Sequence, residues 1–202
     1  HPMYLRLSAI LFPVVTVLLI GVAYWGYQEN QDKNSILIKA ENQYQRSFHD
    51  LSYRVDRLHN ELGQALAVNS ASSDFERKSL VNVWRLTSEA QADISQLPLT
   101  LLPFNKTGQF LANLSNFSYA TATRDLTKKP LTASEQKTLK ALYEHAKDIS
   151  GELRNVQKTV IAHNLRWMDV ETALATENTK IDNMIVDGFK TVDKKVSAYS
   201  EL

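Results

Sequence analysis

The longest regular pattern of hydrophobic positions runs from residue 139 to residue 174. Its members step by three and four residues: Leu139, Leu142, Ala146, Ile149, Leu153, Val156, Val160, His163, Trp167, Val170 and Leu174. This spacing keeps one apolar seam along a helix and is typical of coiled-coil-like packing against partner helices. Thr132 and Glu135 precede the seam as a capping-box pattern, in which each side chain binds a backbone amide of the first turn. The pattern predicts one helix over about 133–176.

A second seam lies nearer the N-terminus and also has a seven-residue spacing. It contains Leu37, Tyr44, Leu51, Leu58 and Ala65, with Phe48, Val55 and Leu62 between them. An uncharged apolar stretch occupies residues 7–27, and no helix breaker lies between Tyr27 and Leu62. Gly63 alone would cost only about 1 kcal/mol relative to Ala. We therefore expect the apolar stretch and the seam to form one continuous helix.

Three further helices are predicted between and after these seams. The polar run 69–73 ends the first helix, and Ser73 with Glu76 is a second capping-box pattern, which starts a helix that runs to about residue 96. The apolar positions of that helix are Leu80, Val83, Trp84, Thr87, Ala90 and Ile94. A helix over about 106–125 contains Phe110, Leu111, Leu114 and Phe117, and a last amphipathic one contains Ile181, Ile185, Phe189, Val192 and Val196. Short connections favour antiparallel neighbours, so the predicted fold is all-α, an elongated antiparallel helical bundle.

The stretch 7–27 contains 21 residues without a charge, which is enough for a helix that spans a bilayer. Tyr24, Trp25 and Tyr27 lie at its C-terminal end, as in an interfacial aromatic belt. Arg6 precedes the stretch and acidic residues follow it, so the positive-inside rule places the N-terminus in the cytoplasm and residues 28–202 outside. Residues 1–27 are thus predicted to be a short tail and an anchor. A cleaved signal peptide is the alternative, because small residues occupy 21–23.

Composition and charge exclude several classes of function. The chain has 23 Lys and Arg against 22 Asp and Glu, so it lacks the basic character of a nucleic-acid-binding protein. It has no Cys, and its five His residues show no metal-ligand spacing. No paired acids, nucleophile motif or phosphate-binding Gly loop is present, so we predict no enzyme activity and no cofactor. His163 is expected in the seam, either as a core histidine hydrogen-bonded across the bundle or as a pH switch.

The segment 97–104 interrupts the helical pattern, because each of its two Pro residues disfavours helix in the residue before it. It is the most apolar stretch outside residues 7–27, and one helical seam cannot bury all of it. Its candidate partner-binding residues are Leu99, Leu101, Leu102 and Phe104. A contiguous apolar surface would fit a protein contact. A hydrophobic cap over the end of the bundle is the alternative.

Three blocks of residues resemble a known family. They are NVWRLTSEAQADISQLPLTLLPFNKT at 82–107, NFSY at 116–119 and ELRNVQKTVIAHNLRWMDVE at 152–171. They closely resemble the YpeB family of germination proteins of endospore-forming bacteria, and the resemblance extends over essentially 3–202. Members of that family have an N-terminal membrane segment, a helical region and C-terminal PepSY-type repeats, so this chain resembles the N-terminal half alone.

The resemblance implies a non-enzymatic role in spore germination. The implied partner is the cortex-lytic enzyme SleB, a peptidoglycan hydrolase, which a membrane-tethered scaffold at the inner spore membrane would stabilise, localise and restrain from the cortex-facing side. Pairing of the bundle with a second copy is left open. A competing function, argued from sequence physics alone, is a sensor domain that binds a small ligand between helices. A third possibility, that the bundle is itself a hydrolase, lacks any catalytic constellation.

Overall fold

The computed structural model describes residues 2–68, 72–101, 106–176 and 184–197, and these residues confirm the all-α fold. They contain six α-helices, one 3₁₀ turn and no strand. The elements in chain order are α1 (Pro2–Val68), α2 (Ser73–Ser95), the 3₁₀ turn (Pro98–Leu101), α3 (Lys106–Ala122), α4 (Ala133–Ala162), α5 (Trp167–Ala175) and α6 (Met184–Ser197). The bounds of α1 confirm that the apolar stretch continues into the second seam without a break.

The chain divides into two compact units, 1–42 and 43–202. In the first unit, the described side chains from Leu5 to Lys39 are exposed, including those of the apolar stretch. This part of α1 is long and apolar enough to cross a membrane. Leu37 also belongs to this unit and is 40% exposed, so its predicted place in a buried seam is wrong. Its neighbours Ile36 and Ile38 are exposed as well, and no described side chain covers this turn.

The second unit has a single hydrophobic core to which all six helices contribute. From α1 it buries the predicted seam residues Phe48, Leu51, Val55, Leu58, Leu62 and Ala65, with Tyr44 partly buried. From α2 and α3 it buries Leu80, Val83, Thr87, Ala90, Ile94, Phe110, Leu111 and Leu114. Trp84 is an exception, because it is exposed and contacts the ring of Tyr119 instead. Leu86 is buried although the sequence pattern did not single it out.

The predicted long helix over 133–176 is wrong, since it is divided into α4 and α5. Asn164 has a φ of 49°, the left-handed conformation that Asn tolerates better than most residues. The amide of Leu165 donates to the carbonyl of Val160, and that of Asn164 donates to the carbonyl of Ile161. These two bonds form a Schellman motif, which ends an α-helix without Gly or Pro. The hydrophobic spacing continues across the break because Trp167 and Val170 are still buried.

The two predicted capping boxes have different outcomes. Thr132 accepts a hydrogen bond from the amide of Glu135, whose carboxylate accepts one from the amide of Thr132, so this box is confirmed. The second box is wrong, because Ser72 and not Ser73 is the N-cap of α2 and makes no side-chain cap bond. Glu76 is therefore one position too far along the helix to reach back to the cap. The Ser73 hydroxyl instead lies 3.0 Å from that of Thr127.

Three aromatic rings join α1, α5 and α6 in the core. Phe48 lies 5.4 Å from Trp167 and 5.8 Å from Phe189 between ring centroids, and Trp167 lies 6.0 Å from Phe189. Such tilted and edge-on pairs add about 0.5–1.5 kcal/mol each beyond the burial of their area. Ile185 and Val192, two further predicted positions of the last helix, are buried beside them. Ile181 and the side chain of Val196 lie outside the described residues.

Candidate partner-binding site

The apolar segment after α2 is partly buried in the bundle. Leu97 and Leu99 are 1% and 3% exposed, and the 3₁₀ turn packs against α2 and α5. Leu99 is therefore unavailable as a docking residue in this structure, and its position fits the alternative of a hydrophobic cap. The side chain of Leu101, together with Leu102 and Phe104, lies outside the described residues. A partner-binding role for these three residues stays a prediction.

The long seam is largely where the pattern predicts it. Its buried members are Leu139, Leu142, Ala146, Ile149, Leu153, Val156, Trp167 and Val170, while Val160 and Leu174 are partly buried. His163 is the exception, because it is exposed as the C-cap of α4. Its Nδ1 lies 3.1 Å from the carbonyl oxygen of Thr159 within the same helix. The predicted position of His163 in the core is therefore wrong, and its role as a pH switch stays a prediction.

Two other histidines have buried ring atoms, His145 wholly and His59 in part, and the sequence pattern did not select either. His145 is buried on α4 beside the ring of Phe110, and burial lowers its pKa. His59 stacks on Tyr143 with 4.6 Å between ring centroids, and burial lowers its pKa as well. The buried Nε2 of His59 has no hydrogen-bond partner among the described residues. Neutral imidazole is thus the form that the core favours at both positions.

A cluster of charged residues joins α1 to α2. Arg54 pairs with Asp93 and also with Glu89, whose Oε2 lies 3.0 Å from its Nε. The hydrogen bond to Asp93 is the main cause that raises the pKa of Arg54. Burial raises the pKa of Asp93 although Arg54 opposes this shift. Because each charge has an opposite partner, the cluster is explained as structural and offers no free group for chemistry.

The side chain of Asp193 on α6 caps the N-terminus of α3. Its Oδ1 accepts hydrogen bonds from the amide of Thr107 at 2.9 Å and from the Thr107 hydroxyl at 2.7 Å. These bonds satisfy a donor that a helix start otherwise leaves unpaired. Burial nevertheless raises the pKa of Asp193, against the effect of these bonds. This buried acid is therefore a structural link between distant parts of the chain.

An open groove of about 360 Å³ lies between the end of α1 and the first turns of α2 and α4. Its lining residues are Ala65, Leu66, Glu76, Ala133, Gln136, Lys137, Leu139 and Lys140. Glu76 is 5% exposed, and its carboxylate has no hydrogen-bond or ion-pair partner among the described residues. Burial raises its pKa, because water no longer stabilises the charged form. The carboxylate of Glu76 is thus largely removed from water, opens only toward the groove and has no partner from the described residues.

The sequence contains Glu76, but its spacing from Ser73 predicts a capping box and not a groove residue. A capping box would satisfy the Glu76 carboxylate locally. A shift of the N-cap by one residue removes that partner and leaves Glu76 facing the groove. Lys137 and Lys140 are three residues apart on α4 and so share one helix face. Nothing in the sequence placed that face beside Glu76.

The described residues contain no group of three or more His, Asp or Glu side chains that could hold a metal ion. Asp169 and Glu171, two acids close together in the sequence, lie on the short helix α5. We find no nucleophile, base and acid assembled together in the part of the chain that the structure describes.

Comparison with known proteins agrees with this description. The family model described as YpeB N-terminal matches residues 32–169. The chain is 50% identical over 194 residues to the sporulation protein YpeB of Bacillus subtilis (strain 168), covering 96% of this chain and 43% of that protein. It is 50% identical over 190 residues to the sporulation protein YpeB of Oceanobacillus iheyensis, covering 93% of this chain and 42% of that protein. No solved structure gives a significant match.

The fold defines a class: an all-α helical-bundle protein whose N-terminal helix is apolar and long enough to cross a membrane. Within that class, the chain belongs to the YpeB family of sporulation proteins. It spans less than half the length of the relatives that it matches. Its role therefore relates to the spore.

Proposed function

We propose that the chain is the membrane-anchored, non-enzymatic scaffold part of a spore germination protein. In this role it stabilises, localises and can restrain the cortex-lytic hydrolase SleB in the dormant spore. The match of residues 32–169 to the YpeB N-terminal family carries the proposal, because the family resemblance implies this partner.

The proposed location is the inner spore membrane, with the bundle on the cortex-facing side. The uncharged stretch 7–27, the aromatic residues at its end and Arg6 before it support an anchor with this orientation. A helix that continues from the stretch to Val68 supports a tether that is part of the folded bundle. Cleavage as a signal peptide is the alternative that the topology experiment below distinguishes.

The physical effect of the scaffold is thermodynamic linkage. A partner that binds only the native form of SleB stabilises that form by mass action. Loss of the scaffold then increases the unfolded fraction of the hydrolase, which proteases remove. No catalytic group on the scaffold is required.

Co-purification from solubilised spore membranes tests the proposal. We expect SleB, detected by its own antibody, to be retained by the tagged protein that contains this chain. An otherwise identical protein whose bundle has been replaced by an unrelated helical bundle is the control. Equal retention of SleB by both proteins, or retention by neither, would show that this bundle does not hold the hydrolase.

Leu101 and Leu102, two of the predicted partner-binding residues, can be tested by substitution. We expect the double substitution Leu101→Asp and Leu102→Asp to reduce SleB retention, because two charges would be placed in an apolar contact. Circular dichroism of the same protein monitors whether the bundle stays folded. The exposed Val81 on α2 provides a matched control, and Val81→Asp should change neither folding nor retention. Normal retention by a folded double variant would remove these residues from the interface.

A further inference from the structure

Glu76 and two lysines on α4 line the same groove without forming ion pairs there. We propose that this groove binds a small zwitterion, namely a free amino acid with an apolar side chain. Its ammonium group pairs with Glu76, and its carboxylate is held by Lys137 and Lys140. This ligand role goes beyond the scaffold function and does not depend on it.

Glu76 lacks a partner for its carboxylate within the described part of the chain. A charge that is largely removed from water and has no partner is destabilising, and polar groups removed from water in folded proteins are nearly always hydrogen-bonded. Glu76 is 5% exposed, lines the groove and has no partner among the described residues. An ammonium group supplies both the opposite charge and three hydrogen-bond donors. A ligand with such a group therefore satisfies the side chain that the bundle alone does not.

Two lysine side chains bring positive charge to the same groove. Lys137 and Lys140 lie on one face of α4 and line the groove, and neither forms an ion pair with a described carboxylate. A simple anion would be repelled by Glu76, and a simple cation would leave both lysines unused. One molecule that carries an ammonium group next to a carboxylate satisfies both sides.

The volume of the groove and the apolar part of its lining fit a small ligand. The groove holds about 360 Å³, near the lower end of the range for small-molecule sites. Ala65, Leu66 and Leu139 provide an apolar surface beside the charged residues. These properties fit a single amino acid whose side chain is apolar.

Occupation of the groove would affect the whole bundle, because the lining residues come from α1, α2 and α4. A ligand that contacts three helices binds the folded state and not the unfolded chain. Binding must therefore raise the melting temperature, by an amount that grows with the logarithm of the ligand concentration once this exceeds the dissociation constant.

The experiment uses the full chain in nanodiscs, with thermal unfolding and calorimetry as the two measurements. The main probe is L-leucine, and the common amino acids are then tested one at a time. L-leucinamide keeps only the ammonium group, and N-acetyl-L-leucine keeps only the carboxylate. We expect L-leucine to raise the melting temperature and each analogue to bind about tenfold more weakly or worse, since each loses a charged pair. The measurements are made at about pH 7, where the α-amino group of L-leucinamide is still mostly protonated.

Matched variants locate the binding. Glu76→Gln should fold at least as stably as the wild type, because it removes an unpaired buried charge, and should weaken L-leucine binding about tenfold or more. Asp74→Asn is its control, since Asp74 is an exposed acid in the same first turn. Lys137→Gln combined with Lys140→Gln should weaken binding as well, whereas Lys158→Gln at an exposed site on α4 should not.

Three results would overturn the inference. The first is that none of the common amino acids raises the melting temperature of the wild type at millimolar concentration. The second is that N-acetyl-L-leucine binds as tightly as L-leucine, because Glu76 would then select no ammonium group. The third is that Glu76→Gln destabilises the ligand-free protein, because Glu76 would then have a partner within the fold.

Discussion

Leu153 lies at the centre of α4, is fully buried and belongs to the seam that the sequence pattern defines. Replacing it by Ala removes buried methyl groups and leaves a cavity, so we expect Leu153→Ala to reduce the free energy of unfolding by about 2–5 kcal/mol. Chemical denaturation measured by circular dichroism gives this value. Ile161 on the same helix is 70% exposed, and Ile161→Ala should have little effect. A wild-type unfolding curve for Leu153→Ala would mean that the assigned seam is wrong.

The pairing of Glu135 with Arg124 makes the free energy of unfolding depend on pH in the acidic range. Its two carboxylate oxygens bind Arg124 at 2.9 and 3.1 Å, and this interaction is the main cause that lowers its pKa below the ordinary value of 4.5. A lowered pKa in the folded state means that the unfolded chain binds protons more readily. The stabilisation is therefore complete above about pH 4.5 and is lost as the pH falls through the lower pKa of the folded state.

We expect Glu135→Gln to remove this dependence while keeping an oxygen that can accept from the Thr132 amide. The measurement is the difference in unfolding free energy between the wild type and the variant as a function of pH, because the other acids then cancel. The difference should be constant above pH 4.5 and shrink below it. A difference that does not change with pH would contradict the assignment.

At the scale of single residues, sequence reasoning succeeds where a partner is local. The Thr132 and Glu135 box is a contact within one turn, so its spacing alone defines it. Glu76 has the same spacing from Ser73, yet its environment depends on where α2 starts and on the packing of α4 beside it. That environment is a tertiary property, and a sequence pattern carries little information about it.

At the scale of elements, the contact between α4 and α6 requires a residue without a side chain. A Cβ atom on Gly188 would lie 2.6 Å from a methyl carbon of Val156, which is too close without a shift of one helix. We expect Gly188→Ala to destabilise the fold by about 1–3 kcal/mol, as overpacking does. Thermal and chemical unfolding measure the change.

Gly151 on α4 is the matched control for that substitution. A Cβ atom there would meet no atom within 4 Å. Because Ala has the higher helix propensity, Gly151→Ala should stabilise the protein by up to about 1 kcal/mol. Equal effects of the two substitutions would show that α4 and α6 do not approach each other as closely as described.

The break between α4 and α5 could not be predicted from the hydrophobic spacing. The hydrophobic spacing predicted one helix because the buried positions continue in register through Trp167 and Val170. The helix ends nonetheless, through the left-handed Asn164 and the two hydrogen bonds of its Schellman motif. Asn is only a weak signal for such an end compared with Gly or Pro. The displacement of His163 from the core follows directly from that break.

At the scale of the whole molecule, the first prediction concerns topology. We expect a reporter fused after Leu202 to be active only if it is of a type that functions outside the cytoplasm, because Arg6 precedes the apolar stretch and acids follow it. The N-terminal sequence of the mature protein is measured on the same samples. Activity of a cytoplasm-only reporter would contradict the orientation. A mature protein that begins near Tyr24 would mean that the stretch is a cleaved signal peptide.

The central claim is that the bundle stabilises the hydrolase by binding its native form. The most direct test is the melting temperature of purified SleB, followed by a label on SleB alone, as the nanodisc-embedded protein that contains this chain is added. We expect the melting temperature of SleB to rise as the protein is added. Once the added concentration exceeds the dissociation constant, the rise should follow the logarithm of that concentration. A SleB melting temperature that stays constant up to a large excess of the folded protein would contradict the account.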